Sequence, residues 1–196
     1  MRKAIFVALA LAACLTVPPS AASGGSGGGR APGSVAVASP NESPGLTHFT
    51  TADVTGGYIA AGTGLRNRGY GTINLTGLPE GAIVESAYLY WTILADDPEP
   101  EFRSLKLDGT PVTGGLIGVV AQSCWLGTAS FSYRADVTAI VDTAGDYSIT
   151  DVASGLTDAS DPWFTVGPPP YAQGASVVAV YSAAGTSMTL TCPPEN

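Results

Sequence analysis

Histidine and basic side chains are scarce in this chain, and their scarcity excludes much chemistry. Lys and Arg together number 8 against 16 Asp and Glu, giving a net charge of −8. A nucleic-acid partner needs a basic stripe to neutralise phosphate, whereas Arg30, Arg66, Arg68, Arg103, Lys106 and Arg134 are scattered. Nucleic-acid binding is therefore set aside. The one histidine, His48 in "LTHFT", has no cysteine or acidic neighbour at metal-ligand spacing. A Ser-His-Asp system would have to use it, and nothing pairs it with an elbow serine. Gly24-Gly25-Ser26-Gly27-Gly28 matches G-x-S-x-G only formally, because neither a strand precedes it nor a helix follows.

Helical periodicity is nearly absent, and no apolar run approaches the roughly 20 residues that span a bilayer. The one sizeable run is Ala4 to Val17, behind Met1-Arg2-Lys3, which has the form of a signal peptide. Two processing signals overlap there. Leu11-Ala12-Ala13-Cys14 resembles a bacterial lipobox, which implies acylation of Cys14 and a signal of residues 1–13. Pro18-Pro19 followed by Ser20-Ala21-Ala22 fits general signal cleavage instead, giving residues 1–22. The apolar run continues through Leu15-Thr16-Val17, and cutting before Cys14 leaves an unusually short signal, so cleavage after Ala22 and release are favoured. Either route exports the chain to an extracellular or cell-surface location. A membrane is involved only through the lipid anchor of the first route.

Cysteine is also sparse: both routes take Cys14 out of the count and leave Cys124 and Cys192, an expected disulfide in an oxidising compartment. Two cysteines with no third ligand or histidine do not make a zinc site.

What the chain does have is glycine, 25 residues, and proline, 15, in a composition with 45% hydrophobic residues. Short strands and many turns suit that composition. Residues 23–45 form a flexible Gly/Ser/Pro linker, and residues 46–196 an all-β domain, an antiparallel β-sandwich of jelly-roll-like form. The longest strand, "IVESAYLYWTIL" from Ile83, alternates: Ala87, Leu89, Trp91 and Ile93 face the core, while Ser86, Tyr88, Tyr90 and Thr92 face the other way. Shorter strands are expected at "YIAAGTGL" from Tyr58, "GTINLTG" from Gly71, and at 116–121, 130–134, 147–152, 175–182 and 187–191. Asp108-Gly109 marks a two-residue hairpin. "ADVTAIV" reads as one short helical turn capped by Asp136, and "ASVVAVYS" as a central strand covered on both faces.

Taken in order, "IVESAYLYWTI", "LKLDGTPVTG", "FSYRADVTAIV", "DYSITDV" and "GASVVAVYS" resemble a β-sandwich domain of unknown function from bacterial and archaeal cell-surface or secreted proteins. The resemblance runs from about Gly57 to Cys192 and is carried by packing residues. It implies an extracellular sandwich and no catalytic residues. Such domains usually run on through further strands, so a fragment truncated at the C-terminus is expected, with an exposed sheet edge.

Two acidic loops and one aromatic loop remain. Asp96, Asp97, Glu99 and Glu101 in "ADDPEPEF" read first as a solvated turn, with a calcium loop as the alternative and a carboxylate-dependent hydrolase as the remotest reading. Asp158 and Asp161 have a similar balance. They belong to "TDASDPWFTVGPPPYAQG", which sets Trp163, Phe164 and Tyr171 around a triple proline. The favoured reading folds Trp163 and Phe164 back to plug an open end of the sandwich; the alternative is an exposed ligand-binding platform. Trp91 belongs to the core, and Trp125 packs beside the Cys124 disulfide. The function expected is a non-catalytic structural or adhesive exported module, whose partner is a cell-surface protein or a glycan. The alternative is a carbohydrate-binding module using the aromatic loop together with Tyr88 and Tyr90.

Overall fold

A computed structural model describes residues 49–50, 52, 54–121 and 128–184. The expectations for the signal peptide, the linker, Cys14, His48, Cys124, Trp125, residues 187–191 and Cys192 lie outside the described residues. Within them, nine strands form: β1 (Gly56–Gly64), β2 (Gly71–Leu75), β3 (Ile83–Ala95), β4 (Ser104–Leu107), β5 (Thr110–Thr113), β6 (Gly115–Val120), β7 (Ala129–Asp136), β8 (Gly145–Thr150) and β9 (Tyr171–Ser182). One 3-10 turn, Pro100–Arg103, precedes β4 and buries Phe102. No helix among the described residues is long and apolar enough to cross a membrane.

The strands form two antiparallel sheets, one ordered β1-β9-β3-β7-β6 and the other β2-β8-β4-β5. The chain crosses between the sheets six times, the wiring of a jelly-roll-like sandwich. The alternation of β3 sends Ala87, Leu89, Trp91 and Ile93 inward, all buried. Against them pack Phe131 and Tyr133 of β7, Ala175, Val177 and Ala179 of β9, and Ile73, Leu107 and Ile149 from the facing sheet. Trp91 stands at the centre, stacked on Tyr133 with ring centroids 5.6 Å apart. Its indole N–H donates to the Phe102 carbonyl at 2.8 Å, so burying the ring leaves no polar atom unpaired.

Two local expectations appear in atomic detail. Asp108 and Gly109 have φ of 47 and 74°, the pair of left-handed residues that a two-residue hairpin between β4 and β5 requires. After β7, the Asp136 carboxylate accepts from the N–H and hydroxyl of Thr138, and Val141 N–H closes one helical turn on the Val137 carbonyl.

The structure corrects the reading of β9. The strand is central in its sheet, between β1 and β3, but only its inner face is buried. Val178 and Val180 on the outer face are half-buried, shielded sideways by their register neighbours: Ala60 and Tyr88 flank Val178, and Tyr58 and Ser86 flank Val180. Cross-strand neighbours thus take the place of a covering layer.

Candidate binding loop at one end of the sandwich

The long connection from β8 to β9 lies at the end of the sandwich where Leu94 pairs with Tyr171. It is about twenty residues without a strand or helix, a length that in a compact domain usually serves a function. It is nevertheless braced along its course. Beside it lies the turn from β1 to β2, in which the N–H groups of Arg68 and Gly69 both donate to the Leu65 carbonyl. This turn puts Asn67 in a left-handed conformation, φ 55°, and buries it to 2% exposure. The Asn67 side-chain N–H groups donate to the Thr165 carbonyl at 2.8 Å and to the Ser160 hydroxyl at 3.2 Å, while its own carbonyl accepts from Ala159 N–H. One buried amide thereby holds both sides of the loop tip.

Two Asx turns shape the tip itself. The Asp158 carboxylate accepts from Ser160 N–H at 3.0 Å, and the Asp161 carboxylate accepts from Trp163 N–H at 2.9 Å. The N–H groups of Phe164 and Thr165 then close on the Asp161 carbonyl in a single tight turn. Hydrogen bonds from Ser160 hold the Asp158 carboxyl below its ordinary value. The far flank is fixed by Gly155 N–H donating to the Pro170 carbonyl at 2.7 Å. A Cβ at Gly155 would overlap the Pro168 carbonyl oxygen, so only glycine fits this crossing.

The outcome for the aromatic residues is divided. Trp163 and Phe164 stand 67% and 89% exposed, with Val166 at 55% beside them, so they do not plug the sandwich. The turn built on Asp161 points them outward. Tyr171 does not join them. It opens β9 as a buried residue, its hydroxyl donating to the Gly167 carbonyl at 2.9 Å and its ring carrying the Arg66 guanidinium 4.1 Å from the centroid. Burial lowers the Arg66 pKa, opposed by the charge interaction with Tyr171. Tyr88 and Tyr90 lie elsewhere, half-buried on the outer face of the five-stranded sheet, where Phe49 packs edge-on against Tyr88 at 5.0 Å. The Arg134 guanidinium lies over that Phe49 ring.

Asp96, Asp97, Glu99 and Glu101 are all exposed in the loop leaving β3. Among the described residues, no group of three or more His, Cys, Asp or Glu side chains comes together as a metal cage.

Neither family models nor curated proteins nor solved structures give a match to this chain. The functional reading therefore rests on the loop. Leaving Trp163, Phe164 and Val166 in water forgoes about 1.5–3 kcal/mol of burial for each of the larger side chains. A flexible loop could relieve that by collapse, but the Asn67 and Asp161 bonds hold the backbone in place. What results is a braced turn that carries two largely exposed aromatic side chains. Asn67, Gly155 and Arg66 escaped the sequence reading. The run "RNRG" did carry a signal, an asparagine two residues before a glycine, where a tight turn needs left-handed backbone.

Proposed function

We propose that this chain is a non-catalytic, exported adhesive module that grips carbohydrate at a cell surface through the Trp163–Phe164 loop. The observation carrying this reading is the exposure of both rings on a loop braced by Asn67 and Asp161. Sugars present C–H faces that stack on aromatic rings, and a loop whose backbone is already braced loses less entropy on binding than a free one. Export is supported by the N-terminal sequence, and the spacer of residues 23–45 gives the module reach from its attachment point or leaves it as a released domain with a free tail.

A glycan array probed with the folded chain tests the proposal. Binding to at least one glycan class is expected, weakened at least tenfold in Trp163→Ala. The same substitution should leave stability within about 0.5 kcal/mol, because the side chain is mostly in water. A folded wild-type chain that binds no glycan, or a Trp163→Ala variant that binds as well as wild type, defeats the carbohydrate reading.

A further inference from the structure

Strand β6, "GLIGVV", is the least protected edge of the sandwich. Its only strand neighbour among the described residues is β7. All six residues are exposed, including Leu116 and Ile117 at 46%, Val119 at 54% and Val120 at 57%. In register, Leu116 and Val119 share the face of the core residues Tyr133 and Phe131, while Val120 pairs with Ser130 on the opposite face. The strand is thus apolar on both faces, without the charge or proline that usually guards an edge. The other edges differ: β5 carries Pro111, β2 is a five-residue strand bearing Thr72 and Asn74 exposed, and β1 packs against β2 at the sandwich corner. A bulge at Ile117 interrupts the β6 ladder, which leaves 118–120 as the regular part of the edge.

We propose that two copies of this chain associate through β6, paired antiparallel edge to edge across a two-fold axis, so that the five-stranded sheets join into one. Charge selects this edge and this partner. The chain carries −8, so most of its surface repels a second copy, yet no Asp, Glu, Lys, Arg or His occurs between Asp108 and Arg134. That uncharged stretch contains β5, β6 and most of β7, so the β6 edge itself brings no like charge to the joint. An antiparallel edge is self-complementary in its N–H and carbonyl groups, and Val119 and Val120 of each copy supply apolar cover on opposite faces of the joint. This surface is separate from the Trp163–Phe164 loop, and a dimer would present two such loops at once.

Sedimentation velocity of the full chain without reductant, with non-reducing gel electrophoresis identifying any intermolecular disulfide, provides the test. A concentration-dependent monomer–dimer equilibrium is expected. Val120→Lys should weaken it at least tenfold, because each copy then brings a like-charged lysine into the joint, whereas Val120→Thr, uncharged and strand-compatible, should keep the dimer. A wild-type chain that stays monomeric, or a folded Val120→Lys chain that dimerises undiminished, overturns the proposal. Should Val120→Lys fail to fold, hydrogen exchange of the wild type decides. Protection of the amides at 118–120 must rise with protein concentration; protection independent of concentration means that another segment of the same chain, or nothing, covers the edge, and the proposal fails.

Discussion

Gly114 shows how closely the core is fitted around single residues. It links β5 to β6, and a Cβ there would overlap Cη2 of Trp91 and lie 2.9 Å from its Cζ2. Trp91 cannot retreat, because its ring is stacked on Tyr133 and its N–H is tied to the Phe102 carbonyl. The backbone is pinned as well: Gly114 N–H donates to the Arg103 carbonyl, and the Arg103 guanidinium donates back to the Gly114 carbonyl. Gly114→Ala should therefore destabilise the domain by about 1–3 kcal/mol, the usual cost of overpacking. Urea unfolding measures this, and an unchanged midpoint would show that the Trp91 ring can shift. The sequence marked Trp91 as core through its place in the alternation of β3, but the glycine that makes room for it comes 23 positions later in the chain. No local pattern connects the two.

Among the elements, the turn from β7 to β8 carries a titratable lock. The Thr138 N–H and hydroxyl donate to the Asp136 carboxylate, and the same hydroxyl oxygen accepts from Ala87 N–H of β3. Those bonds favour the ionised acid and lower the Asp136 pKa below its ordinary 3.8. Because the folded value lies below the unfolded one, the contribution is complete above the ordinary carboxylate range and is lost as pH falls through the folded value. Asp136→Asn should lower stability at neutral pH and flatten this part of the acid limb. Urea midpoints for both chains between neutral and strongly acid pH check it; parallel curves would remove Asp136 from the acid response. This turn, the Asp108-Gly109 hairpin and β3 were legible because their signals are local: an Asx cap, a left-handed pair, a period of two. The start of β9 was not legible. A register shift near Gln173 interrupts its alternation, so Tyr171 resembled a loop aromatic beside three prolines when it is the first buried residue of a strand. The exposure of Trp163 was equally hidden, since it depends on Asn67, nearly a hundred residues earlier.

For the whole molecule, maturation is the open variable, and mass spectrometry reads it directly. The mature chain is expected to begin at Ser23 and to weigh two hydrogens less before reduction than after, the mark of a Cys124–Cys192 bridge. A chain beginning at acylated Cys14 would instead make residues 23–45 part of a tether. Peptide mapping without reduction also separates a bridge within one chain from one between two.

The pairing of β1 with β9 sets a timetable for folding. Gly56 lies opposite Ser182, so the first of the described strands is completed by the last of them, and β9 also separates β1 from β3. A growing chain that lacks β9 has no means of joining β1 to its sheet. At roughly 5–20 residues per second of synthesis, the 126 or so residues between the two ends take on the order of ten seconds to appear. The same wiring makes closure dependent on contacts distant in sequence, which slows folding once the chain is complete.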